Sequence, residues 1–171
     1  MEEEKNALFM DKPNGWESIN EEEKRKIFDF CDEYISFLNR AKTEREFISE
    51  ARLNAERNGY RDISTFDTLK AGDKIFFDNR GKSMYLAIIG EENIENGMHI
   101  IGSHVDSPRL DLKPNPLYED SDFAYFKTHY YGGIKKYQWT TIPLSIHGVI
   151  IKTNGEKITV NIGENENDPI F

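Results

Sequence analysis

The feature that most constrains the fold of this chain is a change in the spacing of its apolar residues near Tyr60. Before that point, apolar residues recur at steps of three and four, which is the spacing of one face of an α-helix. After that point, they form short runs or alternate with polar residues, as they do in β-strands. The sequence therefore predicts an α/β fold in which helices come first and strands follow.

The first predicted helix begins near Ser18, which has Glu21 at the spacing of a capping box. One face of this segment is apolar, so we expect it to be buried. The single cysteine, Cys31, lies on this face and is expected to be a small core residue. The residues of the apolar face are Ile27, Phe30, Cys31, Tyr34, Phe37, Leu38 and Ala41.

A second capping box, formed by Thr43 and Glu46, predicts the start of a second helix. Phe47, Ile48, Ala51 and Ala55 supply its apolar face. The sequence "NGY" at Asn58 contains a glycine that commonly follows the end of a helix, so the second helix should end there.

Four later segments predict strands. "KIFFDNRGKSMYLAIIG" is typical of two strands around a turn at Gly81, and "MHIIGSH" of a short buried strand that ends on His104. "DFAYFKTHYYGG" alternates aromatic and polar residues and should form a strand that ends at Gly132. "LSIHGVIIKTNGEKITVNI" predicts a hairpin with its turn at Asn154 and Gly155.

The composition argues against several classes of function. The formal net charge is -9, from 31 acidic and 22 basic residues, and the basic residues form no stripe, so no nucleic-acid partner is expected. No apolar run is long enough to span a bilayer, so no membrane partner is expected. The single cysteine allows no intrachain disulfide, which is typical of a reducing compartment and favours a cytoplasmic location.

The strongest candidate for chemistry is the pair His104 and Asp106 in "HIIGSHVDSPRLDLKP". Residues two apart in a strand point to the same face, so the carboxylate can reach the imidazole. A metal-bound histidine usually donates its second ring N–H to such a carboxylate. The same tripeptide is also compatible with a strand that simply ends on polar residues, and this structural interpretation stays open.

The other polar candidates favour structural roles. Arg109 and Asp111 are compatible with an ion pair or with the rim of a site, and we favour the ion pair. His99, His129 and His147 have the neighbours of structural or surface histidines. Two adjacent glycines, Gly132 and Gly133, lack the further spacing of a phosphate-binding loop.

The longer segment "GSHVDSPRLDLKPNPLYED" resembles the family of zinc metallopeptidases that includes aspartyl aminopeptidase and aminopeptidase I. "SHVDSPRLDLKP" is similar to the signature of that family, and the similarity extends to "KIFFDNRGKSMYLAIIG" before it. "YYGGIKKYQWTTIPLSIHGVII" looks like the segment that leads into the second, β-rich domain of the family, although "IKKYQWTTIPLS" departs from the more typical pattern there.

The resemblance implies a two-metal exopeptidase that removes N-terminal residues, including acidic ones, from peptide substrates. In this chain His104 would be a zinc ligand and Asp106 the carboxylate that orients it. Two zinc ions per active site, a cytoplasmic location and a homo-oligomer built on dimers, up to a dodecamer, are implied as well. The remaining ligands and the general base are expected beyond Phe171, so the chain is interpreted as an N-terminal fragment.

The predicted organisation is the N-terminal part of a two-metal zinc-peptidase catalytic domain over residues 1–130, with helices and then a mixed sheet. Residues 131–171 would begin a β-rich dimerisation domain. Two alternatives stay open at this point. One is a non-catalytic β-rich assembly or binding module, and the other is a different two-metal amide hydrolase, such as a deacylase.

Overall fold

The computed structural model describes Met10 and residues 12–171 of the chain. The chain divides into two compact units, Met1–Asn39 and Arg40–Phe171. Helices come first and β-strands follow, so the predicted α/β composition is confirmed. No helix among the described residues is long and apolar enough to cross a lipid bilayer.

The described residues of the first unit include a short helix α1 (Gly15–Ser18) and most of a long helix α2 (Glu21–Arg40). The predicted capping box at Ser18 is wrong, because Asn20 and Glu23 form the reciprocal pair instead. Asn20 Oδ1 accepts a hydrogen bond from the Glu23 backbone N–H, and a Glu23 carboxylate oxygen accepts one from the Asn20 N–H, both at 2.9 Å. Helix α2 therefore begins two residues later than the pattern suggested.

The apolar face of α2 is not buried as predicted. Phe30 and Tyr34 are exposed, and so is Cys31, which was expected in the core. A ring contact within the first unit joins Trp16 of α1 to Phe28 of α2, 6.2 Å apart between centroids, and Phe28 does not belong to this face. The period of three and four correctly predicted the helix, but burial depends on a packing partner that periodicity does not specify.

The second unit begins with helix α3 (Glu44–Arg57), whose capping box of Thr43 and Glu46 is present as predicted. It is followed by the strands β1 (Arg61–Asp62), β2 (Lys74–Asn79) and β3 (Ser83–Ile88). β2 pairs in parallel with β1 and antiparallel with β3. The most deeply buried side chains, Ile48 of α3 and Phe76 of β2, form the centre of the core.

The next element is a long antiparallel hairpin of β4 (Arg109–Asp120) and β5 (Phe123–Tyr131). Its two-residue turn places both Ser121 and Asp122 at positive φ, as a type I′ turn requires. The register shifts between Leu112 and Leu117, where Pro114 and Pro116 have no N–H to donate to the ladder. β5 was predicted, whereas no strand was predicted over β4.

A third sheet is formed by the last two strands of the chain as described. After a short helix α4 (Lys136–Trp139), the strands β6 (Ile146–Ile151) and β7 (Lys157–Ile162) form an antiparallel hairpin. Its turn lies at Asn154 and Gly155, and Gly155 has a φ of +86°, which favours glycine. The predicted hairpin is therefore confirmed.

One predicted strand is wrong. The segment from Met98 to His104 forms no strand, and the side chains of Ile100 and Ile101 are 79% and 99% exposed. A strand needs a neighbour to accept and donate its backbone hydrogen bonds, and no described strand pairs with this segment. His104 and Asp106 consequently lie in an irregular connection between β3 and β4.

Candidate functional site

His104 and Asp106 contact each other, as their spacing suggested, although they do not lie on a strand. The Nδ1 atom of His104 is 3.0 Å from Asp106 Oδ1 and 2.9 Å from the Asp106 backbone oxygen. The imidazole is otherwise open, with 81% of its side chain exposed. The carboxylate therefore holds one edge of the ring, and the other edge faces outward.

These contacts determine which ring nitrogen carries the hydrogen. Both partners of His104 Nδ1 are oxygen atoms that accept hydrogen bonds, so Nδ1 must be the donor. In a neutral imidazole the lone pair then belongs to Nε2. His104 is thus set in the tautomer that a metal ligand needs if it binds through Nε2.

Asp106 is itself held by a residue distant in sequence. The Tyr131 hydroxyl, at the end of β5, donates a hydrogen bond of 2.7 Å to Asp106 Oδ2. This bond has the largest effect among several hydrogen bonds that lower the pKa of Asp106 below its ordinary value. The backbone N–H of Asp106 and the side chain of His104 lower this pKa as well. The same bond raises the pKa of Tyr131. The carboxylate and the neutral phenol are therefore the stable pair near neutral pH.

Arg109, at the start of β4, packs against this tyrosine. Its guanidinium carbon lies 4.0 Å from the centroid of the Tyr131 ring, a cation–π contact. Arg109 pairs through Nε with Asp111 Oδ1 at 2.7 Å and through Nη1 with Glu44 Oε1 at 2.9 Å. Burial lowers the pKa of Arg109, but these two carboxylates raise it above its ordinary value. The favoured ion pair of Arg109 with Asp111 is present.

Two members of this network, Tyr131 and Glu44, were not found by sequence analysis. The backbone register of the hairpin places Tyr131 directly opposite Arg109. That pairing requires β4, and the prolines of "LKPNPL" obscured its alternation of apolar and polar residues. Glu44 belongs to the first turn of α3, where an acidic residue is already explained by the helix dipole.

A second histidine is enclosed by carboxylates elsewhere in the same unit. His147 of β6 lies between Glu46 and Glu164, with Nδ1 and Nε2 each 2.8 Å from a carboxylate oxygen. Only 8% of its side chain is exposed. Burial lowers the pKa of His147, but the two carboxylates outweigh this and raise it above its ordinary value. This arrangement fits the structural role expected for His147.

A sequence profile of the family described as "Aminopeptidase I zinc metalloprotease (M18)" matches residues 37–171 of the chain. The chain belongs to the M18 family. This confirms the family inferred from "SHVDSPRLDLKP" and extends the similarity over most of the described structure.

Relatives of this M18 chain carry corresponding names. The probable M18 family aminopeptidase 1 of Borrelia garinii subsp. bavariensis is 54% identical over 162 residues, which cover 95% of this chain and 35% of the relative. The protein of the same name from Clostridium acetobutylicum is 48% identical over 170 residues, or 97% of this chain and 37% of the relative. The M18 chain thus spans little more than a third of the length of these relatives.

The fold agrees with a solved structure of the family. The crystal structure of aminopeptidase I from Borrelia burgdorferi superimposes with a TM-score of 0.88 at 50% sequence identity, covering 93% of this chain and 39% of that one. The mixed α/β architecture is therefore that of part of an M18 aminopeptidase structure.

The donor set of the M18 chain fits zinc at one position. His104 offers a neutral nitrogen on an exposed ring edge, and its opposite edge is held by a carboxylate, as in many zinc sites. Among the described residues, however, no group of three histidine, cysteine or acidic side chains could hold a metal ion. A catalytic zinc usually takes three protein ligands, so the described residues do not by themselves form a complete catalytic zinc site.

Proposed function

We propose that this chain is part of a zinc-dependent aminopeptidase that removes N-terminal residues from peptides. The observation that carries the proposal is the contact of His104 Nδ1 with the Asp106 carboxylate at 3.0 Å, which leaves Nε2 available to a metal. Membership of a family described as zinc metalloproteases supports it. The names of the bacterial relatives, probable M18 family aminopeptidases, support the same reaction class.

In this proposal His104 is a ligand of one of two zinc ions, and Asp106 is the carboxylate that orients its ring. When bound, such ions polarise the peptide carbonyl and activate a water molecule at neutral pH. What the described residues contribute is the fixed ring orientation and the position of the Nδ1 proton. The Asp106 carboxylate also makes the imidazole a stronger donor to the metal.

We further propose that residues 1–130 belong to the catalytic domain and that residues 131–171 begin a β-rich dimerisation domain. The pairing of β6 only with β7, among the described strands, supports a separate sheet for the second part. A homo-oligomer built on dimers and a cytoplasmic location belong to the same proposal. The single cysteine is compatible with a reducing compartment.

The test combines elemental analysis with a substrate panel on the full-length protein. We expect two zinc ions per subunit, and hydrolysis that is lost on chelation and restored by zinc. An aminopeptidase requires a free α-amino group, so matched peptides with free and acetylated N-termini are compared. The panel includes N-terminal Asp, Glu, Leu and Ala, because the motif resembles that of aspartyl aminopeptidase.

Each outcome of this test separates the proposal from its rivals. Release of the N-terminal residue from free but not from acetylated peptides supports the aminopeptidase. Equal or faster cleavage of the acetyl group identifies a deacylase instead. A folded protein without stoichiometric zinc and without hydrolysis of any peptide indicates a non-catalytic binding module and overturns the proposal.

A further inference from the structure

His104 and Asp106 lie in a segment that lacks the support of a sheet. The connection between β3 and β4 contains no strand, so its backbone is not held by a ladder of hydrogen bonds at these two residues. A metal ligand, by contrast, must be held within a fraction of an ångström of its working position. Hydrogen bonds of the Asp106 side chain can supply this support instead.

Tyr131 supplies that support from a regular element. It is the last residue of β5, and its hydroxyl is 2.7 Å from Asp106 Oδ2. The other carboxylate oxygen, Oδ1, faces His104 Nδ1 at 3.0 Å. The two oxygens of one carboxylate thus have different partners, and rotation of Asp106 about its side chain would break both contacts.

The tyrosine ring is itself clamped. Gly132, with a φ of +74°, follows it and packs closely against Pro108. A Cβ added at position 132 would lie 3.4 Å from the Pro108 Cα. Arg109 covers one face of the ring at 4.0 Å. Arg109 is anchored in turn on Glu44 of α3, so the position of the Tyr131 hydroxyl is set by α3, β4 and β5 together.

We propose that Tyr131 is a positioning residue of the M18 site, which fixes His104 by holding the Asp106 carboxylate against the His104 ring. This inference rests on the proposed function, since it assigns Tyr131 a role in zinc binding through His104. Tyr131 need not touch the metal or the substrate. Its contribution is to keep the Asp106 carboxylate in one rotamer in the absence of a strand.

The decisive variant is Tyr131→Phe, which keeps the ring under Arg109 and removes only the hydroxyl. Loss of a partner behind a metal ligand typically weakens binding or activity about 10–100-fold, and we expect roughly the lower end of this range for zinc affinity and kcat. KM should change little, because the substrate is not contacted. The measurements are zinc affinity by competition with a chelating indicator, steady-state kinetics and thermal melting of the full-length protein.

Tyr130→Phe is the matched control, because it removes a hydroxyl from the neighbouring residue of the same strand. Tyr130 is 46% exposed and stacks on His129 instead of reaching Asp106. This control should keep wild-type zinc affinity and kcat. An equal loss in both variants would assign the effect to β5 as a whole and overturn the positioning role.

A double-mutant cycle tests whether Tyr131 acts through Asp106. In an Asp106→Ala background, Tyr131→Phe should produce no further loss of zinc affinity, because the group it positions is absent. Fully additive losses would overturn the proposal, and so would wild-type zinc affinity in a folded Tyr131→Phe protein.

The failure of this inference can be told apart from failure of the proposed function by one more variant, His104→Ala. If His104→Ala loses zinc while Tyr131→Phe retains full affinity, only the positioning role is wrong. If His104→Ala retains both ions and full turnover, the assignment of the site itself is wrong, and the role of Tyr131 with it.

Discussion

His147 Nδ1 lies 2.8 Å from Glu46 Oε1, although the two residues are 101 positions apart in the sequence. The other ring nitrogen of His147 faces Glu164, which also accepts a hydrogen bond from Ser145. The ring can donate a hydrogen bond to both carboxylates only as an imidazolium, since a neutral ring has one N–H. The contact between β6 and the start of α3 therefore depends on a proton.

This arrangement predicts a pH-dependent stability. The pKa of His147 is raised above its ordinary value of 6.5. Its contribution to the free energy of unfolding is therefore complete below pH 6.5 and is lost as pH rises through the higher folded-state pKa. The pKa of Glu164 is lowered from 4.5, mainly by His147 and Ser145, so its contribution is lost as pH falls below that value. We expect the thermal midpoint of the full-length protein to be highest between these two limits.

His147→Gln should remove most of this dependence on the basic side of the maximum. Hydrogen bonds to charged groups contribute about 1.5–3 kcal/mol each, so the variant should lose roughly that much stability near pH 6 and less near pH 8. His99→Gln, at an exposed histidine, is the control and should leave the profile unchanged. Parallel profiles for wild type and His147→Gln would contradict the prediction. Lys42, which also lowers the pKa of Glu164, is unchanged in both variants.

The capping box of α3 is predicted to stabilise the start of the same helix. The Thr43 side chain accepts a hydrogen bond from the Glu46 backbone N–H, and Glu46 Oε2 accepts one from the Thr43 N–H at 3.0 Å. Thr43→Ala should cost about 1 kcal/mol, as is typical when an N-cap side chain is removed. Urea unfolding measures this loss, with Thr68→Ala, at an exposed threonine, as control. A cost no greater than that of the control would show that the cap contributes little here.

Local signals in the sequence predicted much of this fold. The capping box at Thr43 and the turn at Asn154 and Gly155 depend on contacts between residues close together in the sequence, so a short stretch contains the necessary information. The contact of His104 with Asp106 is of the same local kind. The capping box and the turn were predicted correctly for that reason, whereas the contact of His104 with Asp106 was predicted from a strand that does not form.

The features that were missed depend on distant partners. The segment around Ile101 has the composition of a buried strand, but a strand forms only where a neighbour pairs with it. Tyr131 reaches Asp106 across 25 positions, and this contact follows from the register of β4 and β5. Burial of Cys31 likewise required a packing surface. The sequence on either side of each of these residues does not identify its distant partner.

The chain of 171 residues is expected to have no peptidase activity by itself. Among its described residues, His104 is part of no cluster of three potential metal ligands, whereas a catalytic zinc normally has three protein ligands. Purified residues 1–171 should therefore release no N-terminal residue from a peptide panel, while the full-length protein does so. Chelator-sensitive turnover by residues 1–171 would contradict the assignment of further ligands outside them.

The last prediction concerns the different roles proposed for His104 and Asp106. His104→Ala removes a metal ligand, so the full-length protein should lose one of two zinc ions and nearly all turnover. Asp106→Asn keeps the size of the side chain but removes its charge, and it should lower zinc affinity or turnover about 10–100-fold with the fold intact.

Zinc content, thermal melting and turnover are measured on the same samples of wild type and both variants, because a purely structural pair would behave differently. Both side chains are accessible enough for water to replace their contacts, since His104 is 81% and Asp106 32% exposed, so neither change should unfold the protein. If the pair were only structural, zinc content and turnover would follow the folded fraction alone. A folded His104→Ala protein with two zinc ions and full activity would therefore show that Nε2 of His104, although it is oriented and open, does not bind the metal.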